Sequence, residues 1–215
     1  MDAQVRLGRK TVWGTRSGAL ALVATLVASQ ACGDLSRQGR APSFLVIDNL
    51  AGANGADPGE FTNTVISDVV TLVGDTFVPT VFSDPGEVRM RSQLKDAGSS
   101  TSPQIPSVTN YITVTRYRVV YKRADGRNTP GVDVPYPFDG GMTFTAVAAG
   151  ASAGFTLVRA QAKLESPLFA MRGIGGAVFI SAIAEVTFYG HDQTGTPVSV
   201  TGTISVHCAD WGDPE

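Results

Sequence analysis

Apolar side chains that recur at every second residue constrain this chain more than any other feature. In Ile180-Ser-Ala-Ile-Ala-Glu-Val-Thr-Phe188, the residues Ile180, Ala182, Ala184, Val186 and Phe188 fall on one side of an extended backbone. Neighbouring side chains of a strand leave opposite faces, so such a stripe needs a facing layer to hide it from water. Residues 87–94 repeat the pattern, with Val88, Met90 and Leu94 opposite Glu87, Arg89, Arg91 and Gln93. Val198, Val200, Ile204, Val206 and Cys208 form a third stripe. That register points Cys208 into the core, where a thiol behaves as a small hydrophobe.

Further strands are expected at residues 44–48, 68–73, 111–123, 142–147 and 155–164. In the third of these, Ile112 and Val114 share one parity while Tyr117, Val119 and Tyr121 share the other. A bulge or a break near Thr115-Arg116 reconciles the two. Turns are expected at Asp84-Pro-Gly86, Ala124-Asp-Gly126, Asp139-Gly-Gly141 and Asp192-Gln-Thr-Gly195. Short strands divided by such turns predict an all-β fold, an antiparallel sandwich of roughly seven to nine strands. Two long irregular stretches, 50–65 and 96–110, interrupt it. Loops of that length are uncommon in compact domains unless they are functional or disordered.

The N-terminus carries a different message. Arg6, Arg9, Lys10 and Arg16 face one acid, Asp2, and the apolar run 19–28 follows. Ten helical residues span about 15 Å, half of a roughly 30 Å hydrocarbon core, which is too short for a spanning anchor. A basic start, a compact apolar run and small residues before a cleavage point are the parts of a secretory signal. Ser29-Gln-Ala31 meets the small-x-small rule, and the same bond directly precedes Cys32. Residues 1–31 are therefore expected to be a signal peptide. Residues 32–43, which lack apolar periodicity, are expected to be a flexible tether, and 44–213 one folded domain.

This segment resembles a bacterial lipoprotein signal, with Ala31-Cys32 in the last two places of the lipobox. Ser29 stands where leucine is usual, and Gln30 where a small residue is preferred. The resemblance implies acylation of Cys32 and attachment to a membrane through that lipid. Gly33 rather than aspartate follows the cysteine, which implies the outer membrane as destination. Secretion or a periplasmic location is the alternative. Cys32 would then stay free to pair with Cys208 in an oxidising compartment. Residues 184–206 resemble the last hairpin of bacterial immunoglobulin-like domains. An alternating strand there enters an Asp192-x-x-Gly195 turn and returns through Val, Thr and Ser. That likeness implies a single Ig-like sandwich, although the two-cysteine, one-tryptophan spacing of true immunoglobulin domains is absent.

Beyond residue 31 the chain has 13 basic and 18 acidic residues, a net charge of −5. Nucleic acid needs a basic face and is disfavoured as a partner, and no polybasic patch addresses anionic lipid. Gly150-Ala-Ser-Ala-Gly154 matches the G-x-S-x-G string of serine hydrolases, where the serine sits on a strand-to-helix turn. Here strands are expected on both sides, so the string reads as a small-residue hairpin turn. The only bases on offer to Ser152 are His191, at a hairpin tip, and His207, on the outward face of the last strand. Two histidines and a core cysteine do not form a zinc set. Asp125, Asp133, Asp139 and Asp192 could serve calcium but equally suit turns, where aspartate bonds to the local backbone. The apolar stretch 167–180 is read as a connection packed over one end of the sandwich, the alternative being an exposed patch.

Together these features predict a cell-envelope lipoprotein that works as a non-catalytic structural or interaction module without a cofactor. Its expected partners are the membrane and either another envelope protein or a polysaccharide. The alternatives are an exported serine hydrolase using Ser152 and a carbohydrate-binding module using Trp211 or the Tyr136-Pro-Phe138 corner.

Overall fold

All three stripes become long strands in the computed structural model of the chain, which describes residues 41–212. The chain runs through β1 (Ser43–Gly52), β2 (Thr64–Asp68), β3 (Thr71–Val73), β4 (Val78–Thr80) and β5 (Asp84–Leu94). A small hairpin, β6 (Gly98–Ser99) and β7 (Ser102–Pro103), precedes β8 (Ile112–Lys122), β9 (Phe138–Ala146) and β10 (Ala151–Val158). A one-turn helix, α1 (Ala160–Lys163), then leads to β11 (Ile180–Asp192) and β12 (Pro197–Ala209). The signal segment, Cys32 and the tether up to residue 40 lie outside the described residues.

Burial follows the period of two. Every even-numbered residue of β11 from Ile180 to Phe188 is buried, as are Val88 and Met90 on β5 and Ile204, Val206 and Cys208 on β12. The stripes face each other across one core. One sheet has the order β1-β5-β10, and the other has the order β2-β12-β11-β8-β9. All these pairs are antiparallel except β2 with β12, which is parallel. The parity change in β8 is a bulge. The pairing of β8 with both β9 and β11 slips between Val114 and Arg116, leaving Thr115 outside the ladder. One extra residue restores the core face to Tyr117, Val119 and Tyr121.

Four aromatic rings centre the core. Tyr117, Phe138, Phe155 and Phe188 meet edge-on or tilted, with ring centroids 5.2 to 6.4 Å apart. Such offset contacts suit the charge distribution of the rings. Two of the rings pack against strand glycines. A Cβ on Gly86 would sit 2.4 Å from Phe155, and one on Gly140 would sit 2.2 Å from Tyr117. The Tyr117 hydroxyl in turn accepts the Thr156 N–H, joining the two sheets.

These glycines overturn two of the expected turns. Asp84-Pro-Gly86 and Asp139-Gly-Gly141 are parts of β5 and β9, because both glycines make room for rings where a turn would need chain reversal. The turns at 124–126 and 192–195 form as expected, with Gly126 and Gly195 at positive φ. Residues 68–73 are split between β2 and β3. The strand expected over 155–164 stops at Val158, and α1 follows.

Strand directions give the sandwich two distinct ends. The entry to β1 shares one end with 95–111, 147–150 and 193–196, and the Ser43 hydroxyl donates to the Asn110 carbonyl there. The connections 53–63, 69–83, 123–137 and 159–179 all lie at the other end.

Gly86→Ala is expected to cost about 1–3 kcal/mol through overpacking against Phe155. Gly154→Ala on the neighbouring strand, whose Cβ would meet nothing nearer than 3.9 Å, is expected to change stability by less than about 0.5 kcal/mol. Urea denaturation of the two variants checks the contrast.

Candidate functional site

Extending the β5 stripe backward from Val88 passes Gly86 and arrives at Asp84, so an acid occupies the core face of a central strand. Its partner comes from the far end of β10. There Ala160-Gln-Ala-Lys163 turns into a single helical turn, anchored where the Ala160 N–H donates to the Ser83 hydroxyl. The turn swings Lys163 inward. Its Nζ lies 2.8 Å from Asp84 Oδ1, and both side chains are 0% exposed.

The remaining valences of the carboxylate are filled from two more segments. Gly55 donates its N–H to Oδ1 at 2.9 Å, and the Ser67 hydroxyl donates to Oδ2 at 2.5 Å. A side chain at Gly55 would not fit, since its Cβ would stand 2.1 Å from the Ser83 carbonyl oxygen. Burial raises the pKa of Asp84, an effect opposed by the charge of Lys163 and by the bonds from Lys163, Ser67 and Gly55. Carboxylates and ammonium groups are rarely buried unless paired in this way.

Around this pair lies a ring of buried polar groups. Tyr121 donates to the Leu157 carbonyl at 2.7 Å, and burial lifts its hydroxyl well above the usual range. Burial, with the charge of Asp84 adding to it, pushes the Cys208 thiol up to about 12, against the lowering effect of its hydrogen bond with Ser67. Trp211 closes the end. Its backbone N–H donates to Asp68 Oδ1 and its indole N–H to the Ser67 carbonyl. Arg172 donates to the Lys163 carbonyl at 3.0 Å, and Asp210 accepts from the Gly173 N–H. Three connections and the C-terminal segment thus converge on one buried cluster.

The residues singled out by sequence fall elsewhere. The Gly150–Gly154 string is not a hairpin turn. It runs into β10, which pairs with β5, whereas the preceding strand β9 belongs to the opposite sheet. Ser152 is an exposed strand residue opposite Arg89. His191 is exposed near the end of β11, with its Nδ1 on the Asp192 carbonyl, and His207 pairs in register with Ile66 on β2. No hydrogen bond joins Ser152 to either histidine among the described residues. Cys208 is buried and free.

The four aspartates do not meet. Asp125 bridges Arg123 and Arg127, Asp133 accepts the Thr129 N–H, and Asp139 pairs with Arg116 and Arg118. Asp192 caps its turn, with Oδ1 accepting the N–H groups of Thr194 and Thr196 and the Thr194 hydroxyl. No group of three or more His, Cys, Asp or Glu suited to a metal ion occurs among the described residues.

The stretch 167–180 is both of the things weighed for it. Leu168 and Met171 are buried as a plug, while Phe169 (54% exposed), Ile174, Val178 and Phe179 (58%) face outward. Tyr136 is exposed, and Phe138 belongs to the aromatic core. No helix among the described residues is long and apolar enough to cross a membrane. Compared with protein-family models, with curated proteins and with solved structures, the chain matches none.

Because folding holds a proton on Cys208 that an unfolded chain releases from about pH 9, unfolding at alkaline pH is linked to proton loss. The pKa of about 12 in the folded state against 9.0 for the free thiol predicts that stability falls as pH rises through that window. The slope approaches 1.4 kcal/mol per pH unit. Tyr121 adds to the fall above pH 10. Urea midpoints measured across pH 8 to 11 should drop more steeply for the parent chain than for Cys208→Ala.

Proposed function

We propose that the chain is an exported envelope lipoprotein, held by acylated Cys32, whose Ig-like sandwich acts as a non-catalytic structural or interaction module. One observation carries this reading. The chain enters the sandwich at one end, and the connection bearing Phe169, Ile174, Val178 and Phe179 lies at the other. A lipid at Cys32 would attach the domain through the end opposite that apolar connection, leaving the connection free to meet an envelope partner. Exposed apolar groups gathered on one loop are costly in water and are a common mark of an interaction surface.

The strand order supports the Ig-like part. Lettered in chain order, β1, β5 and β10 take the places of strands A, B and E. The run β12-β11-β8-β9 takes those of G, F, C and C′ in a variable-type sandwich. The non-catalytic part rests on the placement of reactive groups. Asp84, Lys163 and Cys208 are sealed from solvent, and Ser152 faces solvent without a base.

The test is made on the processed protein from cell envelopes. The intact mass should exceed that of residues 32–215 by the acyl groups, and Cys32→Ser should move the protein from the membrane to the soluble fraction. A parent mass equal to the bare polypeptide contradicts the anchor.

A further inference from the structure

We propose that Lys163 and Asp84 are the two halves of an internal amide cross-link, formed without any other reactant once the sandwich closes around them. Four observations lead there. The two side chains touch at 2.8 Å with both fully excluded from solvent. Each end of the carboxyl group is held by its own donor, Gly55 N–H on Oδ1 and Ser67 O–H on Oδ2. The neighbours are the buried Tyr121 and Cys208 and the apolar wall of the core. The contact joins positions 79 residues apart in sequence, from the first residue of β5 to the last of α1.

The chemistry balances within the cluster. The Lys163 ammonium returns one proton to the Asp84 carboxylate, giving a neutral amine beside a neutral acid. Burial favours this step, since it raises the pKa of Asp84 and removes two charges from a site of low polarity. The amine nitrogen then bonds to Cγ. The Cγ–Oδ2 bond breaks, and the departing hydroxyl takes a second amine proton and leaves as water. The amide keeps one N–H, and nothing is oxidised or reduced. Gly55 polarises the oxygen that stays, as donors in an oxyanion hole do, and Ser67 stands at the oxygen that leaves. Holding the partners in contact is worth an effective concentration on the order of 10⁵–10⁸ M, and exclusion of water protects the product.

Cys208 is buried and free, so no disulfide braces the described residues, and an amide between Lys163 and Asp84 would. The inference does not depend on the proposed function.

Peptide mapping decides it. After complete denaturation, trypsin cuts the unlinked chain into peptides 41–89, 160–163 and 164–172, as the sequence has no Lys or Arg between Ala41 and Val88. The proposal predicts one species in their place, peptide 41–89 joined to 160–172, lighter than the two together by one water. Fragmentation should place the bond between Asp84 and Lys163. Recovery of only the three separate peptides overturns the proposal. In Lys163→Met, peptide 160–172 should appear unlinked, and a persisting linked species would overturn it as well. The parent result stands by itself if that variant does not accumulate.

Discussion

An ammonium group and a carboxylate withdrawn from water cost several kcal/mol each unless they are paired closely and further hydrogen-bonded. In this molecule that requirement fixes one whole end of the sandwich. Asp84 can be buried only because α1 delivers Lys163, because the 53–63 connection delivers a backbone N–H at a residue with no side chain, and because β2 delivers Ser67. Trp211 and Arg172 then bind the same segments from outside, through the carbonyls of Ser67 and Lys163. Removing Lys163 leaves a buried carboxylate without its counter-charge, and removing Ser67 leaves Oδ2 without its donor, so these segments are expected to order together. The apolar core gives the sheets reason to pack, and the Asp84 cluster decides how the connections lie across them.

The centre of the molecule obeys a different rule. Phe155 at Gly86 and Tyr117 at Gly140 fill the space a side chain would take, and the bulge at Thr115 brings Tyr117 to that position. Aromatic cover of strand glycines pins register, since a slip by one residue would turn the rings outward. The sandwich is therefore locked twice, by ring-on-glycine contacts in its middle and by the Asp84–Lys163 cluster at one end. The opposite end, where the chain enters, is closed by ordinary hydrogen bonds such as those of Ser43 and Ser92 to the Asn110 carbonyl.

Much of the fold was legible because alternation is a direct record of which face is buried. The three stripes, the β8 bulge and the inward Cys208 all follow from it. The failures have physical causes. Asp-Pro-Gly and Asp-Gly-Gly favour turns in isolation, and only a ring contributed by a distant strand converts their glycines into strand positions. Lys163 fell inside the strand expected over 155–164, and the partner that turns it inward is 79 residues away. One clue was available. Carrying the parity of Val88 and Met90 backward sets Asp84 on the core face, and an acid there requires a cation that no neighbouring residue supplies. Ser152 shows the converse, a motif whose letters match while its setting, a strand exposed to solvent, does not.

This arrangement keeps a loop with outward-facing aromatics on a braced support. The bracing of that loop rests on the Asp84–Lys163 contact. Hydrogen exchange of the native protein, compared between the parent chain and Lys163→Met, measures this directly. In the variant, amides of 53–63 and 159–179 should lose protection together while β11 and β12 keep theirs. Unchanged protection across both connections would contradict it.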